Sequence, residues 1–104
     1  MDAKLKERFD AETKGNKVVV YMKGTAIAPM CGFSAAVAQI LQSMGVKFHD
    51  VNVLADPEIR EGIKEYTSWP TIPQVFIDGK FVGGCDILTE LHQKGELARM
   101  LGQG

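Results

Sequence analysis

An α/β fold, with helices flanking a mixed sheet of about four strands, is the class this sequence predicts. Two patterns carry that expectation. Val18-Val19-Val20-Tyr21-Met22 reads as a buried strand, a helical period follows it, and a second strand covers Val46 to Val53. Strand, helix and strand in this order imply a parallel pair joined by a right-handed crossover. Further on, Val75-Phe76-Ile77 and Phe81-Val82 flank Asp78-Gly79-Lys80, the signal of a tight antiparallel hairpin.

Each element has its own local reason. Leu5, Phe9 and the charges between them predict an N-terminal helix that stops near Gly15-Asn16, residues suited to a left-handed cap. After the first strand, Phe33, Val37, Ile40, Leu41 and Met44 fall at helical spacing, and Gly45 closes the segment. In the second strand Val51 and Val53 share a face. Asp56-Pro57 starts a helix, with a capping carboxylate and proline at the first helical position. Ile59, Ile63 and Tyr66 form its buried stripe, while Arg60 and Lys64, four apart, project together from another face. Trp69-Pro70-Thr71-Ile72-Pro73 breaks that helix. Gly83-Gly84 ends the hairpin, and Asp86 is placed to cap a helix whose apolar face is Ile87, Leu88 and Leu91. Leu97, Met100 and Leu101 suggest a last turn or two after Gly95.

The chain has 104 residues, the size of one domain, and no repeat, low-complexity tract or linker divides residues 1–104. A hydrophobic content of 45% with 24% charged residues argues against intrinsic disorder. Twelve basic and thirteen acidic side chains leave a net charge of −1, which gives no cationic footprint for nucleic acid. Apolar runs such as Val18 to Met22 are far too short to cross a bilayer. Met1 to Arg8 alternates charge and lacks a secretory apolar core. Two cysteines do not make the disulfide framework of a secreted mini-protein. The expectation is a small, soluble, intracellular globular domain that binds neither nucleic acid nor membrane.

In open α/β sheets ligands collect beyond the carboxyl ends of the parallel strands. Lys23 ends the first strand there, and Gly24 to Met30 delivers Cys31 to the start of the next helix. Helix N–H groups and the positive end of the dipole favour a thiolate at that place, Lys23 adds a cation, and Gly32 keeps the approach to the sulfur open. A lowered thiol pKa and a reactive sulfur follow; a small buried hydrophobe is the alternative fate of a lone cysteine. Three positions after Cys31 stands Ser34, whose hydroxyl cannot perform thiol exchange. Cys31 is therefore a lone nucleophile or a lone metal ligand that needs an outside thiol. Ser34 itself reads equally as a solvated residue of the first helical turn.

Met22-Lys23-Gly24-Thr25, Pro29-Met30-Cys31-Gly32-Phe33-Ser34, Trp69-Pro70-Thr71-Ile72-Pro73-Gln74 and Gly83-Gly84-Cys85-Asp86 together resemble the monothiol glutaredoxins of the Cys-Gly-Phe-Ser class. The likeness runs in the expected order from about Val18 to Leu101, and the step from Lys23 to Cys31 matches the monothiol rather than the dithiol loop. It implies a thioredoxin-like fold, glutathione binding, and a [2Fe–2S] cluster bridging two subunits. The ligand count agrees: such a cluster takes four thiolates, two chains supply one Cys31 each, and two glutathione molecules supply the others.

The same resemblance distributes the glutathione contacts. Lys23, Arg60 and Lys64 meet the glycyl carboxylate, although on spacing alone Arg60 and Lys64 read as a solvated helix face. Ile72-Pro73, flanked by Thr71 and Gln74, is implied to be cis, which lets Ile72 pair with the ligand's cysteine like an added strand. Gly84, Cys85 and Asp86 lie at a helix start, where N–H groups receive the γ-glutamyl carboxylate and Asp86 takes the amine or caps the helix. Trp69 either packs the loop or walls the pocket. Phe33 either shields the cluster or belongs to the core. Cys85 is a second redox thiol or a small residue where bulk would not fit, and it is not assigned to the cluster.

The leading expectation is a cluster carrier that passes its cargo to apo-proteins, with BolA-like proteins as implied partners. A glutathione-dependent oxidoreductase that removes glutathione from proteins is the alternative, so catalysis is left open. Cys31, Cys85, His49 and His92 lack the short spacings of a zinc site, which is disfavoured. One departure stands out: the class commonly has proline where this chain has Ala26. Losing a fixed φ predicts a looser loop around Cys31 and faster cluster loss than in an Ala26→Pro variant. The implied compartment is a reducing one, bacterial cytoplasm or, for a processed form, the mitochondrial matrix.

Overall fold

The structure is a computed structural model and describes residues 1–103. Asp2 opens α1 (Ala3–Gly15) by accepting the Lys4 N–H. The chain continues through β1 (Val18–Met22), α2 (Gly32–Ser43), β2 (His49–Asn52), a 3₁₀ turn at Val53–Ala55, α3 (Pro57–Thr67), β3 (Gln74–Ile77), β4 (Lys80–Gly83), α4 (Cys85–Gln93) and α5 (Glu96–Met100). The strands form one mixed sheet in the order β2-β1-β3-β4. β1 runs parallel to β2, with Tyr21 opposite Val51, and antiparallel to β3, with Val19 opposite Phe76. β3 and β4 form the expected hairpin, whose turn residues Asp78 (φ 52°) and Gly79 (φ 79°) both take the left-handed conformation that an Asp-Gly turn supplies.

The alternation of β1 divides the interior. Val18, Val20 and Met22 pack with Val37 and Leu41 of α2, Leu88 of α4, and Leu97 and Leu101 beneath. Val19 and Tyr21 pack on the other face with Phe9 of α1 and Ile59 and Ile63 of α3. Burial of both faces accounts for a strand that is apolar throughout. Among the described residues no helix is long and apolar enough to cross a membrane.

Three expectations need correction. Asn16 is extended (φ −134°) rather than left-handed, because its side-chain amide donates to the Glu12 carbonyl at 2.9 Å and closes α1 without a turn. The second strand is shorter than Val46 to Val53: Val46 still donates to the Leu41 carbonyl of α2, and the Asn52 side chain captures the Leu54 N–H to start the 3₁₀ turn. Asp86 is not the cap of α4; Gly84 holds that place, with no side-chain cap, and Asp86 sits in the first turn. Asp56 and Pro57 do open α3 as read, with the carboxylate accepting the Glu58 N–H at 2.9 Å.

The step from β4 into α4 turns on Gly83, at φ 148°, where a Cβ would lie 2.8 Å from Cδ1 of Ile87. Gly83→Ala is expected to lower the unfolding free energy by about 1–3 kcal/mol, through backbone strain and overpacking together, as read from urea denaturation midpoints.

Candidate functional site

Where β1 ends, the chain doubles back through Gly24, whose φ of 84° and a would-be Cβ 2.5 Å from the Ala28 carbonyl admit only glycine. Thr25 donates to the Ala28 carbonyl at 3.2 Å and Met30 to the Lys23 carbonyl at 2.9 Å, so the segment returns as a closed loop. It delivers Cys31 to the N-cap of α2, and no side chain caps that helix. Ser34 is not solvated. It is fully buried, and its Oγ accepts the Lys23 N–H at 3.1 Å, bonding the end of β1 to the first turn of α2. The Ser34 N–H, and after it the Phe33 N–H, the Lys23 ammonium and the Ser34 hydroxyl, hold the Cys31 thiol below its ordinary value, against a partial desolvation that acts the other way.

Cys31 opens onto a cleft of about 490 Å³, within the roughly 300–1,000 Å³ range of small-molecule sites. Lys23 and Phe33 border the sulfur, Arg60 and Lys64 of α3 form one side, and Trp69 to Pro73 form the floor. Gly84, Cys85 and Asp86, at the start of α4, close the far side. Nearly every residue singled out from the sequence thus meets in one place. Gly32 is the exception: it lies outside the lining, and open space surrounds its Cα where a Cβ would stand. Pro70, read only as part of the helix-breaking motif, and Ile87, read only as part of a helix's apolar face, also line the cleft.

The open alternatives resolve residue by residue. Arg60 and Lys64 do face the cleft; Lys64 reaches Glu61 at 3.3 Å, whereas the Arg60 Nε is buried without a hydrogen-bond partner. Trp69 both packs and walls, its ring 5.5 Å from that of Phe81 and its edge against Gly84. Phe33 is 63% exposed beside Cys31 and does not belong to the core, in spite of its helical spacing. Ile72-Pro73 is cis, and Ile72 stands just before β3, outside its pairing with β1. Cys85 is half-buried at the first position of α4. Ala26 is bonded through both backbone groups, its N–H donating to Oδ2 of Asp50 at 2.7 Å and its carbonyl accepting from Gln42 at 3.3 Å.

Two supports escaped the sequence reading. Gln74 is fully buried; its amide donates to the Trp69 and Thr71 carbonyls at 3.0 and 3.2 Å, and its oxygen accepts from the Thr67 hydroxyl. It therefore fixes the floor of the cleft to the end of α3. Asn52 accepts the Gly24 N–H at 2.9 Å and so holds the root of the Cys31 loop. A polar residue at a buried strand start was the one available signal for Gln74.

Comparison with known proteins places this site in context. Residues 18–82 match the sequence family described as glutaredoxin. A Synechocystis protein named as an uncharacterized monothiol glutaredoxin is 56% identical over 101 residues, covering 97% of this chain and 94% of its own length. A mitochondrial glutaredoxin-related protein of zebrafish is 54% identical over 96 residues, which is 91% of this chain and 62% of that protein. Among solved structures, reduced apo GrxS14 of poplar superposes with a TM-score of 0.84 at 48% identity, over 95% of this chain and 91% of that one.

Cys31 should react with iodoacetamide with a pH midpoint below the roughly 8.5 of an ordinary thiol, and Lys23→Gln should move that midpoint up. Because folding lowers this pKa, the thiolate's contribution to stability is present above the unfolded-chain value and is lost as pH falls through the folded value. In the floor, Gln74→Leu leaves the Trp69 and Thr71 carbonyls without their donor, while the Thr67 hydroxyl keeps the Ile63 carbonyl. The substitution is expected to destabilise by roughly 1–3 kcal/mol in thermal unfolding and to change the fluorescence of Trp69.

Proposed function

The chain belongs to the glutaredoxin family, among its monothiol members, and from that premise we propose that it binds glutathione and carries a [2Fe–2S] cluster between two subunits for delivery to apo-proteins. One observation bears most of the reading. Cys31 is a thiol of lowered pKa with no resolving partner in its own first turn, because the residue there is Ser34, whose hydroxyl cannot exchange with a disulfide and instead bonds the Lys23 N–H. A [2Fe–2S] cargo takes four thiolates. Two copies of Cys31 give half of them, and glutathione held in each cleft gives the remainder.

The cleft has the charges that such a tripeptide requires. Arg60, with its unpartnered Nε, and Lys23 and Lys64 would receive the glycyl carboxylate. The Ile72 backbone, free of β1, would pair with the cysteinyl unit, with Pro73, Thr71 and Trp69 beneath it. The uncapped N–H groups at Gly84 and Cys85 would bind the γ-glutamyl carboxylate, and Asp86 its amine. Gly32 leaves the sulfur approachable, Phe33 would screen the cargo from water, and Cys85 is read as wall rather than ligand. A BolA-like protein in place of one subunit extends the same reading. Relatives from Synechocystis and from zebrafish mitochondria support a reducing compartment of either kind.

The depressed thiol also favours a second reading, a glutathione-dependent oxidoreductase. The Cys31 thiolate would attack the glutathionyl sulfur of a protein mixed disulfide and release the protein thiolate. A second glutathione thiolate would then displace Cys31, giving glutathione disulfide and restoring the thiolate.

Anaerobic reconstitution with iron, sulfide and glutathione tests the ranking. The expected product is a dimer by size-exclusion mass, coloured in the visible, with one cluster and two glutathiones per pair of chains, and absent in Cys31→Ser. A colourless monomer that rapidly deglutathionylates a model substrate would reverse the order of the two readings.

A further inference from the structure

The tip of the Cys31 loop has little packing to hold it. Ile27 is 96% exposed and Met30 69% exposed, so burial cannot set the course of the chain there. Thr25 and Ala28 close the turn on itself, and polar partners from two other elements anchor it. Asn52 takes the Gly24 N–H, Asp50 takes the Ala26 N–H through Oδ2 at 2.7 Å, and Gln42 of α2 donates to the Ala26 carbonyl at 3.3 Å. The Asp50 bond is the shortest of the three, and its acceptor is a carboxylate, which makes it the strongest restraint on the tip. Both Asp50 and Asn52 lie on β2, which pairs directly with β1, the strand that leads into the loop.

We propose that Asp50 is a positioning residue for Cys31: its carboxylate, by clamping the Ala26 N–H to the edge strand, holds the loop that sets the sulfur against the first turn of α2. The clamp explains how alanine serves at a place where a proline would restrain φ by itself. It also gives a function to a half-buried acid on an edge strand, which none of the glutathione contacts employs. The inference needs a reactive Cys31 and nothing more, so failure of the cluster experiment leaves its test standing.

Amide exchange and thiol titration test it together. In Asp50→Ala the Ala26 amide should exchange about tenfold faster, with Val20 in β1 unchanged as a measure of global opening. The Cys31 alkylation midpoint should move up, lowering the rate near neutral pH about twofold. Direction is decisive, because losing a negative charge without loosening the loop would move the midpoint down. Asp50→Asn, which keeps an acceptor oxygen, should restore most of the protection and bring the midpoint back. In an Ala26→Pro background, where the donor is gone, Asp50→Ala should no longer move the midpoint up, because only the loss of charge remains. Unchanged exchange at Ala26, a midpoint that falls in Asp50→Ala, or an equal shift in the proline background would each overturn the proposal.

Discussion

The site depends on one partly buried hydrogen bond, from the Lys23 N–H at the end of β1 to the Ser34 hydroxyl in the first turn of α2. It fixes the distance between a strand terminus and a helix terminus that the loop between them could otherwise vary. Cys31 lies inside that closure, at the N-cap, and is held where helix N–H groups and the Lys23 ammonium act on it together. The helix N–H bonds act only at contact and the dipole within about the first turn, so a thiol displaced by a residue's width would lose the larger part of its shift. A buried serine here is not a spare polar group. Without its hydroxyl, a strand-end N–H would be sealed from water with no acceptor, at a cost of roughly 1–3 kcal/mol.

The opposite wall is built by different means from the same sheet. α3 packs on the face carrying Val19 and Tyr21, whereas α2 and α4 pack on the face carrying Val18, Val20 and Met22. The cleft takes Arg60 and Lys64 from the first layer and Cys31 and Gly84 from the second, so it straddles the end of the sheet. Gln74 links the two walls, since it starts β3 and bonds to the segment leaving α3. Such a fully satisfied buried amide rigidifies a loop more effectively than apolar contact, because each lost bond leaves an unmet group behind.

What the sequence revealed was local. The all-apolar strand at Val18 to Met22, the Asp-Gly turn and the Asp56-Pro57 start each announce themselves within a few residues, and each stands where it was read. The errors also have a local origin. Asn16 looked like a left-handed cap because its side-chain bond back to Glu12 is invisible to residue preference. Phe33, which fits a helical stripe, was open to two readings, and its exposure excludes the core one. Ser34, Asn52 and Asp50 have partners eleven, twenty-eight and twenty-four positions away, beyond the reach of a local reading, whereas the partners of Gln74 lie three to seven residues off and were hidden by an irregular loop with no period to read. Ala26 is the clearest instance. A proline's restraint is written at its own position, whereas the restraint on this alanine is written twenty-four positions away.

The helix starts show where local preference gives way to chemistry. α1 and α3 open on Asp2 and Asp56, whose carboxylates satisfy N–H groups in the first turn as helix-capping preference demands. α2 and α4 open on Cys31 and Gly84, and neither has a side-chain cap. Those two are the helices whose N-termini border the cleft. An uncapped N-terminus forgoes about 1 kcal/mol that serine or aspartate would supply, and it leaves N–H groups unmet. At α2 the thiolate is the anion that uses them. At α4 an anionic group of a bound molecule would do so, and a capping side chain on either helix would compete for the same donors. The short α5 also starts without a side-chain cap, at Gly95 and away from the cleft, so an open start is not by itself the mark of a site; at α2 and α4 it matters because the open donors lie where charge arrives with the chemistry.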